Sequence, residues 1–207
     1  MTQAIATPEA SITSITPEAL ISQREAQLLW TSADLELLPD NNNRYEIIDG
    51  EFYVTRAPHN KHQDTCGNFC YELKAWSKLT GLGYTVIGAG LIFGDNDDVI
   101  PDVMWMTKEK YAALIDDTGH FRGAPDLVIE VLSAGTENEK RDREVKLKLY
   151  SSRGVLEYWI ADWRTKQIQV YRRENGILKL AMTLFASDTL TSPLLPDFAC
   201  LISQIFE

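Results

Sequence analysis

The stretch at residues 126–133, which reads DLVIEVLS, limits the fold of this chain more than any other. In a strand, successive side chains point to opposite faces, and here both faces are apolar except at Glu130. A strand that is apolar on both faces is typical of the centre of a sheet. An ionised carboxylate is costly to bury there unless it is paired or binds a metal. We therefore expect Glu130 to form a structural ion pair, to reach water at the strand end, or to bind a metal.

The next segment predicts a helix that can supply a partner for this carboxylate. Residues 136–153 begin with TENE, which has the pattern of a capping box, and are followed by a glycine suited to a C-terminal cap. Within this range Asp142, Lys146 and Tyr150 recur every four residues and share one helix face. A helix that returns along the strand would bring Lys146 close to Glu130.

Length and composition predict a single domain of ordinary globular type. The chain has 207 residues, of which 44% are hydrophobic and 24% charged, with a net charge of −10. By composition, residues 1–27 are expected to form a flexible N-terminal arm, and residues 28–207 the folded domain. The acidic balance disfavours binding to nucleic acid by bulk charge, but it allows a local basic patch assisted by metal ions.

Several features that the sequence lacks predict a cytoplasmic location. No apolar run approaches the 18 residues that suggest a membrane span, and the N-terminus lacks the basic and apolar regions of a signal peptide. The three cysteines are an odd number, which is typical of reduced thiols rather than of a disulfide framework.

The order of the remaining elements predicts an α/β fold with a mixed sheet. Asp-Gly at residues 49–50 separates two strand-like runs, which is a strong hairpin signal. A helical pattern covers about residues 60–79, and strands follow at about 84–93 and 99–106. Pro101 forbids one ladder hydrogen bond, so the second of these strands should bend near Asp102. Asp102 is either a turn or edge residue or a second functional carboxylate.

One alternative metal site lies on the helix at residues 60–79. His62, Cys66 and Cys70 recur every four residues and are ligand types for zinc. Structural zinc sites have four ligands, and no second cluster of Cys or His supplies the rest. We therefore interpret the cysteines as packing residues and His62 as a polar contact at the mouth of the site.

Taken in order, these motifs resemble the "putative restriction endonuclease" branch of the PD-(D/E)XK nuclease superfamily. The matching segments are Arg44–Glu51, Pro101-Asp102, Pro125–Ser133, the helix bearing Asp142, Lys146 and Tyr150, Gly154-Val155, Glu157–Asp162 and Leu190–Phe198. The resemblance covers roughly residues 30–207. It implies a restriction-endonuclease-like fold, which is a mixed β-sheet flanked by helices, here with added β-hairpins.

The resemblance also implies an activity, namely metal-dependent endonucleolytic hydrolysis of DNA. Asp102 and Glu130 would bind Mg²⁺, for which Mn²⁺ can substitute, and Lys146 would stabilise charge on the phosphate. The superfamily places its lysine two residues after the acid, where this chain has Leu132. The resemblance therefore implies that the lysine of this branch has moved to the helix, where it is Lys146.

Two assignments within that resemblance remain open. Lys148 is the alternative to Lys146, and it lies about 200° round the helix from it, so both cannot face one site. Glu46 in the hairpin is the preferred further acid, and Glu72 on the preceding helix is the alternative.

Basic side chains on the helix are the candidate substrate contacts. Residues 140–153 include six basic side chains and only two acidic ones. The predicted DNA contacts among them are Lys140, Arg141, Arg143 and Lys148. A solvated helix face is the competing interpretation. No membrane partner is expected, and a homodimer is compatible with the pattern.

Three functions compete. The first is a DNA endonuclease, and the second is a catalytically inactive nuclease-fold module that binds nucleic acid or regulates a partner. The third is a structural protein in which Glu130 and Lys146 form a buried salt bridge. Divalent-metal binding separates the third from the others, and DNA cleavage separates the first from the second.

Overall fold

The computed structural model describes residues 29–39, 41 and 43–207. The predicted N-terminal arm, residues 1–27, lies outside the described residues. The helices are α1 (Ser32–Leu35), α2 (Asn60–Thr80), α3 (Lys108–Leu114), α4 (Thr136–Lys140), a π-helical turn (Arg141–Val145), α5 (Lys146–Arg153) and α6 (Ile202–Ile205). None of these helices has the length and hydropathy of a membrane-spanning segment.

The strands form a mixed α/β arrangement, which confirms the predicted fold class. They are β1 (Arg44–Ile48), β2 (Glu51–Thr55), β3 (Gly83–Ile87), β4 (Leu91–Gly94), β5 (Asp97–Val99), β6 (Val103–Thr107), β7 (Phe121–Arg122), β8 (Leu127–Val131), β9 (Glu157–Asp162), β10 (Gln167–Glu174), β11 (Ile177–Leu184), β12 (Thr189–Ser192) and β13 (Leu195–Leu201). One sheet has the strand order β2-β1-β5-β4-β7, a second has β11-β10-β9-β8-β6-β3, and β12 and β13 form a hairpin.

Strand β8 lies inside the six-stranded sheet, antiparallel to β6 and parallel to β9. All five of its residues are buried. Leu127, Ile129 and Val131 pack in one hydrophobic cluster, and Val128 packs in a second cluster on the opposite face. Both faces of the stretch are therefore covered by other parts of the protein, which explains why both are apolar.

The β1–β2 hairpin forms where the Asp-Gly pair predicts it. Asp49 and Gly50 both have positive φ, 54° and 75°, as a two-residue type I′ turn requires. Antiparallel pairing sets Glu46 opposite Tyr53 in the middle of β1. This register turns the Glu46 side chain to the buried interior, where it is 1% exposed.

The strand predicted at 99–106 is divided between two sheets. Strand β5 ends at Val99 and belongs to the five-stranded sheet, whereas β6 starts at Val103 and belongs to the six-stranded sheet. Pro101 lies in the break, because it has no N–H to donate to either ladder. The crossing places Asp102 at the junction of the two sheets. The strand predicted at 84–93 is likewise broken, at Gly88, which adopts a φ of 61°.

Candidate active site

Glu130 is held from helix α5. Lys146 Nζ lies 2.9 Å from Glu130 Oε1, and the Tyr150 hydroxyl donates to the same oxygen at 2.7 Å. All three residues are at most 2% exposed. No described residue donates a hydrogen bond to Oε2, so one oxygen of the Glu130 carboxylate remains available for a further ligand.

Lys146 joins the two sheets, because it also contacts Glu46. Its Nζ lies 2.9 Å from Glu46 Oε1, and that oxygen accepts the backbone N–H of Ile100 at 2.9 Å. The Ile100 contact ties β1 to the residue before Pro101. One buried ammonium thus connects a carboxylate on β1 with a carboxylate on β8.

Asp102 has partners at both carboxylate oxygens. Arg44 Nη1 lies 3.0 Å from Oδ1. On the other side, Oδ2 accepts the N–H of Val131 at 2.9 Å and lies 3.3 Å from His62 Nε2. Only Arg44 among these partners is substantially exposed, at 32% of its side chain, so it is the partner that a bound cation could displace most easily.

The π-helical turn brings two more charged side chains to this place. Asp142 and Arg141 are both buried, with Arg141 Nε 3.3 Å from Asp142 Oδ1. The Asp142 carbonyl accepts the Tyr158 hydroxyl at 2.9 Å, which fixes the turn against β9. In a π turn the backbone hydrogen bond spans five residues instead of the four of an α turn, and such turns are common at functional sites. The single helix predicted at 136–153 is therefore three segments.

These groups line one cavity of about 420 Å³ between the two sheets. Glu46, Asp102, Glu130 and Lys146 all border it, together with Val131. Their sequence positions span 101 residues, from 46 to 146, so it is the crossing of the chain between sheets that brings them together.

The carboxylates of the cavity differ in their electrostatics. Burial, together with Asp102, Asp142 and Glu46, raises the pKa of Glu130 to about 8 despite the neighbouring Lys146. Burial also raises the pKa of Asp142. Burial acts in the same sense on Asp102, but His62, Arg44 and Lys146 outweigh it and hold the pKa of that carboxyl well below its usual range.

Lys146 remains a cation in these surroundings. Burial lowers the pKa of its ammonium, but Glu130, Glu46 and Asp142 more than compensate, so the pKa lies above its ordinary value. For Glu46, Lys146 and Arg141 outweigh the effect of burial and lower the pKa. Lys146 is thus suited to donate hydrogen bonds and stabilise anions, and unsuited to accept a proton as a general base.

The donor set of the cavity fits a hard divalent cation. Carboxylate and carbonyl oxygens are the ligands that Mg²⁺ prefers, and Asp102, Glu130 and Val131 border the same space. Burial is the main cause of the raised pKa of Glu130, because it disfavours the charged form of the carboxyl, and a nearby cation favours that form. A divalent ion would be such a cation.

The zinc alternative takes a different form from the one predicted. His62, Cys66 and Asp102 place ligand atoms within 4.8 Å of one another, and Cys70 is not part of this group. Cys66 Sγ lies 3.5 Å from His62 Nδ1. Burial raises the pKa of the Cys66 thiol, which disfavours the thiolate that zinc binds. The three side chains are better described as a hydrogen-bonded support for Asp102.

The predicted DNA contacts separate in space. Arg141 lines the cavity, whereas Lys148 borders a second cavity of about 230 Å³ beside Asp97. Arg143 donates to Gln169, and Lys140 is exposed at the end of α4. Glu72, the alternative acid on α2, is not among the described residues that line the cavity with Glu130 and Lys146.

Sequence reasoning missed the role of two cavity residues. Arg44 and Arg56 line the cavity from β1 and from the segment after β2. Arg44 lies two residues before Glu46, so the alternation of a strand already placed both side chains on one face. Arg56 follows the last strand residue and carried no comparable signal.

Comparison with known proteins agrees with this description. A family described as "Putative restriction endonuclease" matches residues 32–203. Among curated proteins none matches the chain. A crystal structure from Anabaena variabilis ATCC 29413, described as a putative nuclease belonging to DUF820, is 18% identical, with a TM-score of 0.68 over 85% of this chain and 97% of that one. That likeness shows a shared fold. The family match covers most of the sequence, and this chain therefore belongs to the putative restriction endonuclease family.

Proposed function

We propose that the protein is a metal-dependent endonuclease that hydrolyses phosphodiester bonds of DNA. The observation that carries the proposal is the convergence of Glu46, Asp102, Glu130 and Lys146 in one cavity. Three buried carboxylates and a buried lysine are costly to maintain for stability alone, because apolar side chains of similar size would fill the space at lower cost. Such a cluster is typical of a site whose chemistry needs charge.

Asp102 and Glu130 would hold Mg²⁺ or Mn²⁺, with the Val131 carbonyl as a further oxygen ligand. When bound, such an ion polarises the scissile phosphate and lowers the pKa of a coordinated water. The N–H of Val131 and His62 orient Asp102 through Oδ2. These contacts fix the carboxylate before any ligand arrives, which reduces the cost of ordering it.

Lys146 would stabilise the negative charge that develops on the phosphate. Its contacts with Glu46 and Glu130, both at 2.9 Å, hold the ammonium in a defined place. Glu46 is itself fixed by the Ile100 N–H, so we assign it the positioning of Lys146. A preorganised donor of this kind contributes about two to three powers of ten in rate.

DNA would enter along the basic side of the cavity. Arg44, Arg56 and Arg141 line it and suit contacts with phosphates, and Lys140 lies beside Arg141 at the exposed end of α4. Because the chain carries a net charge of −10, binding should depend on these local charges and weaken steeply with salt.

A second function has one observation in its favour. Both oxygens of Asp102 already have partners, and Arg44 contributes a cation where a metal would otherwise bind. A protein in which Arg44 replaces the metal would be an inactive nuclease-fold module that binds nucleic acid or regulates a partner.

A cleavage assay tests the proposal and separates the two functions. Plasmid and branched DNA would be incubated with Mg²⁺ or Mn²⁺, with Asp102→Asn as the matched control. The endonuclease proposal expects nicking or cutting by the parent protein, loss of it with chelator, and loss in Asp102→Asn. Metal-independent binding without cleavage would favour the inactive module.

A further inference from the structure

A third, smaller cavity opens beside the catalytic cavity, which is the cavity of about 420 Å³ lined by Glu46, Asp102, Glu130 and Lys146. Its volume is about 200 Å³, and it shares Thr55, Arg56, His62 and Ser133 with the lining of the larger cavity. A nucleotide whose phosphate lay in the catalytic cavity would therefore have this space within reach of its sugar and base. The proposed function does not otherwise use it.

An aromatic platform forms one wall of this small cavity. The rings of His59 and Trp163 stack with centroids 4.8 Å apart and planes only 7° from parallel. Each ring is fixed by a backbone hydrogen bond, since His59 Nδ1 accepts the N–H of Lys61 at 3.1 Å and Trp163 Nε1 donates to the Leu132 carbonyl at 3.1 Å. His59 is exposed although it is ordered in this way, so the stack presents aromatic surface to a ligand at little entropic cost.

Polar groups with unused hydrogen-bonding capacity lie on the same cavity. Asn138 donates through Nδ2 to the Ala134 carbonyl at 3.2 Å, and no described residue donates to its Oδ1. Arg56 makes no ion pair or side-chain hydrogen bond with any described residue. An amide beside an aromatic stack is the combination by which proteins recognise an unstacked base, through stacking on its face and hydrogen bonds to its edge.

We propose that this cavity binds a nucleobase of the DNA strand that the enzyme cleaves, from the nucleotide adjoining the scissile phosphate. The base extends the His59–Trp163 stack, and Asn138 hydrogen-bonds its edge. The inference rests on the proposed endonuclease function and adds to it the requirement for an unpaired or extruded base. Substrates with single-stranded, branched or distorted segments would then be preferred, since they supply such a base at least cost.

The experiment compares ligands that differ only in the base. Binding of each deoxynucleoside 5′-monophosphate and of 2-deoxyribose 5-phosphate is measured by titration calorimetry in Mg²⁺ buffer. The parent protein should bind at least one nucleotide about tenfold or more tightly than the base-free phosphate, as expected for one stacked base. In Trp163→Leu this ratio should fall close to one, while the affinity for the base-free phosphate stays unchanged.

Two variants act as controls, and a third tests the proposed contact with the base edge. Trp163→Phe keeps an aromatic ring and should retain most of the ratio, and Trp30→Leu removes a partly exposed tryptophan that stacks on Phe52 instead and should retain all of it. Asn138→Ala should change the order of preference among the four bases without lowering the melting temperature.

Equal affinities for nucleotide and base-free phosphate in the parent would overturn the inference, as would a ratio that survives Trp163→Leu. If the parent cleaves DNA and the ratio is absent, only the base pocket fails. If it neither binds nucleotides nor cleaves DNA, the proposed function fails with it.

Discussion

Replacing Lys146 by Met removes the only lysine among the described residues that line the candidate site, and Glu46 and Glu130 lose the ammonium that contacts them. The Nζ atom lies 2.9 Å from one oxygen of Glu46 and 2.9 Å from one oxygen of Glu130. At an effective dielectric constant of 20, each contact has a Coulomb energy of about 6 kcal/mol. Much of this is offset by the desolvation of the charges.

The net effect on stability should still be large. Breaking a buried ion pair by removing one partner typically costs about 3–5 kcal/mol. Burial raises the pKa of Glu130 to about 8, so this carboxyl is largely protonated at pH 7, and the charge left without its partner is mainly that of Glu46. We therefore expect Lys146→Met to lose about 3 kcal/mol of unfolding free energy at pH 7 without divalent metal, and less in millimolar Mg²⁺.

Urea unfolding in chelator and in Mg²⁺ measures both values, and Lys148→Met is the matched control. Lys148 lies on the same helix but is exposed and borders the other cavity, so its replacement should change stability by no more than about 0.5 kcal/mol. Adding Glu46→Gln to Lys146→Met should recover much of the loss, as for a coupled pair, because Glu46 is the ionised carboxylate that loses its cation. A metal-free Lys146→Met within about 1 kcal/mol of the parent would refute the reasoning, as would a double variant that shows no recovery.

Three further predictions concern the same cavity. Millimolar Mg²⁺ or Mn²⁺ should raise the melting temperature of the parent but not of Asp102→Ala, and equal responses in scanning calorimetry would contradict the metal site. Arg44→Met should tighten Mn²⁺ binding, because Arg44 competes with the metal for Asp102 Oδ1. The control variant Arg56→Met should leave the Mn²⁺ affinity unchanged. Weaker Mn²⁺ binding by Arg44→Met in titration calorimetry would disprove this competition. Metal binding should release a proton from Glu130 and tighten as the pH rises toward 8; identical heats in two buffers of different ionisation enthalpy would show that no proton is released.

The sequence alone determined the elements whose pattern is local. The two apolar faces of residues 127–131 predicted the central strand, and Asp49-Gly50 predicted the β1–β2 hairpin. The repeat of apolar residues predicted helix α2. Each of these signals involves residues only a few positions apart, which backbone geometry alone relates to one another. The pairing of Lys146 with Glu130 was expected on the same basis, from a helix returning along its strand.

Tertiary structure decided the partners that are distant in the sequence. Arg44 and His62 contact Asp102 across 58 and 40 residues, and no local pattern relates those positions. Only the division of one predicted strand at Pro101 places Asp102 between the sheets. Helix geometry already separated Lys146 from Lys148, but only the packing of helix α5 decided that Lys146 is the one that borders the cavity with Glu130. The physical reason is that a side chain's face on its own element is fixed locally, whereas the groups it meets depend on how sheets and helices pack together.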